Sequence, residues 1–132
     1  MDSDIDKPMR PIIEEFSKSQ HVKTVYCCAG HKVCKKYRSE IVQIYILFEM
    51  DMQQIGPFLE LAFTCLTRKM FEYGLHPRIT RAVDSKWSRK NRERIAVQFY
   101  SDGDRKSQLN MKQVKIARKY FKRLAEKTAA AL

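Results

Sequence analysis

No apolar run in this chain approaches the roughly 18 residues that would suggest a membrane span, and its first residues, MDSDIDKPMR, are acidic and polar, the reverse of a secretory signal. An intracellular, cytoplasmic protein, or one of the nucleoid or nucleus, is the expectation. Cysteine is scarce as well. Of the four, Cys27 and Cys28 are adjacent and Cys65 falls inside an apolar segment, which argues against a secreted disulfide scaffold and for a reducing compartment. The Gly-rich phosphate loop, the GxSxG elbow and the HExxH helix are all absent, so the enzyme classes those motifs carry lose their support. What remains, 132 residues of which 44% are hydrophobic, suffices for one globular domain with a core that needs no staples.

Positive charge is missing from one half only. Residues 1–66 hold 8 Lys/Arg against 9 Asp/Glu, a balance of −1, while residues 67–132 hold 18 against 6, a balance of +12, so the second half carries all of the net +11. Such asymmetry points to an anionic partner met by one side of the molecule, nucleic acid before an acidic protein or a membrane surface.

Periodicity sets out the elements. Residues 1–7 read as a disordered lead to a domain over 8–132, and Ile12 to Ser19 as a short helix after Pro8 and Pro11. Val22 to Cys28 alternates as a strand that Ala29-Gly30 ends, and a loop from His31 to Ser39 leads to a second strand, Ile41 to Phe48, apolar on both faces. Its Ile44 and Tyr45 call for cover from within the chain or from a second subunit of a homodimer. Pro57 to Gly74 reads as the core helix, opened by Pro57, stopped by a left-handed Gly74 and covered on most of its circumference. Further strands are expected at Ile79 to Ser85 and Ile95 to Tyr100, then a turn at Ser101 to Asp104 and a helix from Ser107 to Lys127 with Val114, Ala117, Tyr120, Phe121 and Leu124 as its buried stripe.

A shift of 55 residues lays Val42-Gln43-Ile44-Tyr45 on Val97-Gln98-Phe99-Tyr100, Lys23 on Arg78 and Ala62 on Ala117, which reads as an internal duplication of residues 21–74 and 76–128. Two strand-strand-helix units after an N-terminal helix give an α+β fold, a four-stranded, mostly antiparallel sheet with its helices on one face. The same element order occurs in LAGLIDADG-type homing endonucleases, but the acidic motif that carries their chemistry is absent from the first helix here, and no family follows from the order.

The functional signal is densest in the second unit. Arg78, Arg81, Lys86, Arg89, Lys90, Arg92 and Arg94 surround Trp87 in one hairpin, and Lys112, Lys115, Arg118, Lys119 and Lys122 line the last helix. Lys and Arg neutralise phosphates, Arg forks onto phosphate or guanine, and an indole stacks on an unpaired base, so RNA or single-stranded DNA is expected slightly ahead of duplex. Read blandly, these are a solvated loop and a solvated helix face. Cys28, His31 and Cys34 have zinc-ligand chemistry, with Cys27 or His21 as a fourth group, but no distant pair closes the site; no cofactor is the reading, with zinc as the alternative. An enzyme would use Cys27 or Cys28 activated by His31, or the carboxylate pairs Glu49/Asp51 and Asp102/Asp104, which also suit turns and helix starts. The sequence therefore favours a binding protein over an enzyme, with an adaptor or small inhibitor for an acidic protein as the second reading.

Overall fold

The computed structural model describes residues 9–32, 42–82, 92–101 and 109–132. The element order is α1 (Arg10–Phe16), β1 (Val22–Lys32), β2 (Val42–Asp51), α2 (Met52–Thr64), α3 (Arg68–Glu72), β3 (Leu75–Ala82), β4 (Arg92–Ser101) and α4 (Met111–Ala131). The strands form one sheet in the order β1-β2-β4-β3, every neighbouring pair antiparallel. This is the α+β architecture expected from the alternation of hairpin and helix patterns.

Strand alternation decides which face is covered. Ile44, Ile46, Phe48 and Met50 of β2 and Ile95, Val97 and Phe99 of β4 are buried on one face, where Phe48 meets Phe16 of α1 and Phe58 of α2, and Phe99 meets Tyr120 and Phe121 of α4. Each such ring contributes about 1.5–3 kcal/mol by leaving water. α1, α2 and α4 all sit on this side, while Phe71 of α3 has its ring 5.8 Å from that of His76 in β3. Ile44 is thus covered within one chain, while Tyr45 and Leu47, on the opposite face, are only half-buried.

The expected core helix is not one helix. It begins earlier, at Met52, carries Pro57 inside it, and ends at Thr64; Thr67 is extended and α3 follows. Only Phe58 and Ala62 of α2 are buried, and Phe63 and Phe71 face solvent. The central helix is α4, whose buried side chains include the whole expected stripe. Its capping box accounts for its start, with Asn110 Oδ1 accepting from the Gln113 amide at 2.8 Å and Gln113 Oε1 accepting from the Asn110 amide at 3.0 Å. It therefore starts later than Ser107 and runs past Lys127. Gly74 behaves as expected, at φ 68°, ending α3 with its amide on the Phe71 carbonyl.

Strand limits shift too. β1 runs on through Ala29 and Gly30 to Lys32, so His31 opens no loop. The β1–β2 ladder slips between Thr24 and Tyr26, a bulge that reverses the alternation and turns Cys27 into the core opposite Ile46. β3 begins at Leu75, with Pro77 on the sheet's edge, where a missing N–H is tolerated. β2 and β4 run longer than their expected spans. The 55-residue shift does not map one hairpin ladder onto the other. It carries Lys23 onto Arg78, yet Lys23 pairs with Glu49 while Arg78 pairs with Gln98, not with the residue 55 beyond Glu49. No described helix is long and apolar enough to cross a membrane.

Candidate nucleic-acid interface

The face of the sheet turned away from the helices is built by the off-phase residues of β2, β4 and β3, with exposed Lys23 of β1 opposite Glu49. One row across it runs Tyr45, Gln98, Arg78; the next runs Leu47, Ala96, Thr80; the next sets Glu49 against Arg94. His76 lies opposite Tyr100. Of these residues His76 meets the Phe71 ring of α3 at 5.8 Å, and the described ones are half-buried or exposed.

The Tyr45 end of this face is aromatic and cationic. The Arg78 guanidinium lies over the Tyr100 ring, 5.6 Å from its centroid, and the Tyr100 hydroxyl donates to Gln98 Oε1 at 3.1 Å. A guanidinium on a ring keeps its charge and remains planar, and its edge is still able to donate. Arg78 is exposed and makes no ion pair with a described residue. The far end differs. There Arg92 Nε lies 3.6 Å from Asp51 and 3.9 Å from Glu49, so the two carboxylates read as a possible metal pair already have a cation between them. No group of three His, Cys, Asp or Glu able to hold a metal occurs among the described residues.

The remaining cations expected at the site are dispersed. Arg81 points to the helix side and bonds Glu93 through two nitrogens, an arrangement that raises its pKa further and compensates its charge. β3 ends and β4 begins at the sheet end that carries Asp51, and Lys86, Trp87, Arg89 and Lys90 lie outside the described residues. On α4, Lys112, Lys115, Lys119 and Lys122 are exposed opposite the buried stripe, hence on the far side of the helix layer from the open sheet face. Arg118, Lys119 and Lys122 share a groove with Pro11, Ile12 and Glu15 of α1. Lys112 lies over the Tyr73 ring at 4.6 Å and, by its hydrogen bond and its charge, draws that phenol below its ordinary pKa. Arg78 on the open sheet face and the exposed lysines of α4 therefore belong to two surfaces rather than one.

The cysteine readings divide. Cys27 is buried in the core and cannot meet a substrate without opening the sheet. The backbones of Cys28 and His31 lie in β1, while their side chains, and Cys34 and Asp102/Asp104 entirely, are outside the described residues, as are residues 1–8 and the turn beyond Ser101. Cys65 is buried under α4, and burial pushes its thiol above the usual value, so it is a packing residue rather than a nucleophile.

Tyr45, Gln98, Tyr100 and His76 were not anticipated as site residues. Their signal is in the sequence all the same: once the helix-facing phase of β2 and β4 is known, the opposite phase brings Tyr45, Gln98 and Tyr100 to the open face. No protein-family model and no curated protein matches this chain. Among solved structures it is similar to the PH1069 protein from Pyrococcus horikoshii, at 12% identity over 98% of this chain and 86% of that one, with a TM-score of 0.43, a level at which neither site nor function carries across.

Proposed function

We propose that this protein is a small nucleic-acid-binding domain that acts by binding rather than catalysis, RNA or single-stranded DNA being preferred to duplex. The observation that carries the reading is the open sheet face, where Arg78 sits over Tyr100 in line with Gln98 and Tyr45. Rings that stack, an amide that reads a base edge and a cation for phosphate are the groups single strands require, and a strongly basic second half raises the encounter rate. The hairpin between β3 and β4, with Trp87 among Lys86, Arg89 and Lys90, extends this surface in composition. The α4 cations form a separate electrostatic surface. The second reading, an adaptor for an acidic protein, uses the same charges without the rings.

Fluorescence anisotropy with a labelled single strand separates these. Trp87→Ala should weaken binding by about 1–3 kcal/mol without changing the salt dependence, because stacking releases no counterions, whereas reversing Arg89, Lys90 and Arg92 should lower affinity and salt slope together. Reversing Lys32, Lys35 and Lys36 is the control. The reading fails if that control weakens binding as much, or if an acidic protein binds at 100 mM salt (about physiological screening) and no strand does.

A further inference from the structure

The short helix α3 stands at edge strand β3 and also touches α4, and of its own side chains only Met70 is buried. Its rings stay outside. Phe71 is 48% exposed, and Tyr73, which ends the helix, is 36% exposed. A single apolar side chain in water needs no explanation, but these two belong to a larger set. The Phe71 ring lies 5.8 Å from that of His76, His76 stands opposite Tyr100 in the β3–β4 ladder, and Tyr100 carries the Arg78 guanidinium. Phe71 thus continues the line of rings on the open sheet face round the edge of the sheet and onto α3.

Beyond Phe71 the pattern of ring and cation is repeated. Lys112, in the first turn of α4, holds its ammonium 4.6 Å from the centre of the Tyr73 ring, as Arg78 holds its guanidinium on Tyr100. Neither cation makes an ion pair with a described residue, and a cation kept on a ring retains its full charge for a partner. Lys69 faces Tyr73 as well, against Glu72, so the positive charges here outnumber the negative. The pieces are locked together by Gln113, which is 5% exposed and donates to both the Tyr73 carbonyl and Ser101 Oγ, joining the ends of α3 and β4 to the start of α4.

Resting on the nucleic-acid reading, we infer that α3 is a second subsite for the same single strand, which leaves the open sheet face over His76, stacks a base on Phe71 and sets a phosphate against Lys112. Charge and rings select this occupant together. An acidic protein would be served by the cations alone, whereas an unpaired strand offers bases and phosphates in alternation, the order in which Tyr100, Arg78, Phe71 and Lys112 present their groups. The helix thereby links the cation of the sheet face to the first lysine of α4.

Fluorescence anisotropy of the full chain with a labelled oligothymidylate of about 12 nucleotides, within the range of single-strand site sizes, tests this. Phe71→Ala should weaken binding roughly 5- to 150-fold with the salt slope unchanged, the worth of one stacked base. Phe71→Tyr, which keeps a ring, should restore affinity. Lys112→Gln should instead reduce the slope by about 0.7, one phosphate on a single strand. Phe63→Ala, at the more exposed ring of α2, should stay within about twofold of the native chain, as a neutral surface change does. Trp87 is the chain's one tryptophan, so Phe71→Trp combined with Trp87→Phe puts a lone indole on α3, whose fluorescence a stacked base should quench. If the native chain binds no strand at about 100 mM salt, the nucleic-acid reading falls and this subsite with it. If strands bind, a Phe71→Ala affinity within about twofold of native, an equal loss from Phe63→Ala, or an unquenched indole would overturn the subsite alone.

Discussion

Tyr120 shows how single residues tie the two halves together. The ring is fully buried against Phe99 and Phe121, yet its hydroxyl donates to the Ala62 carbonyl at 2.8 Å, and one turn on Arg123 donates to the Cys65 carbonyl at 3.1 Å. These are orphan carbonyls at the end of α2, where no glycine cap follows, so α4 caps a helix distant in sequence. Burial raises the Tyr120 phenol well above its ordinary pKa, which keeps it a neutral donor at any physiological pH. Tyr120→Phe retains the packing but leaves the Ala62 oxygen unpaired, and should cost about 1–3 kcal/mol. Urea denaturation would register this as a lower midpoint with an unchanged slope. Gln113 bridges in the same way, its amide donating to the Tyr73 carbonyl at 2.8 Å and to Ser101 Oγ at 3.1 Å.

Among elements, the break between α2 and α3 matters most, because it frees the chain to turn and enter β3. Gly74 completes the turn at φ 68°, and Gly74→Ala, which forces a Cβ into the left-handed region, should destabilise by about 1–2 kcal/mol without altering the sheet's register. Thermal unfolding of that variant would register the loss as a lower melting temperature. The bulge in β1 is the corresponding device in the first hairpin: without the slip at Thr24 and Tyr26, Cys28 rather than Cys27 would face the core. It could not be read from the alternation of residues 22–28, because a bulge is set by the partner strand.

At the scale of the molecule, charge is sorted by layer. The open sheet face has exposed Arg78 among rings, the outer side of α4 has Lys115, Lys119 and Lys122, and α2 between them has no cation. If a single strand contacts only the sheet face and hairpin, about four to six phosphates are neutralised, and the log-log salt slope should lie between about −3 and −4, a loss of roughly 50- to 300-fold from 50 to 200 mM salt. Reversing Lys115, Lys119 and Lys122 together should then lower affinity far less than reversing Arg89, Lys90 and Arg92. Equal losses from the two triple variants, measured by anisotropy over that salt range, would show that a strand wraps both layers.

Apart from the split of the expected core helix into α2 and α3, element type and order, the helix-facing stripe of α4, the left-handed role of Gly74 and the charge asymmetry were legible in the residues, because periodicity, capping and net charge are local or additive. Whether Pro57 starts a helix or lies within it was not, since the helix that holds Met52–Thr64 is stabilised by Phe58 packing on Phe48 and by hydroxyl and guanidinium groups nearly 60 residues away. Nor could the sequence show that Arg78 on the open sheet face and the exposed lysines of α4 belong to opposite layers. Residue type and spacing determine which side chains are cationic and which phase of a strand or helix they share. Where those phases point relative to one another depends on strand order, β1-β2-β4-β3, and on which sheet face the helices cover, and both are decided by burial of Ile44, Phe48, Val97 and Phe99 in a single core.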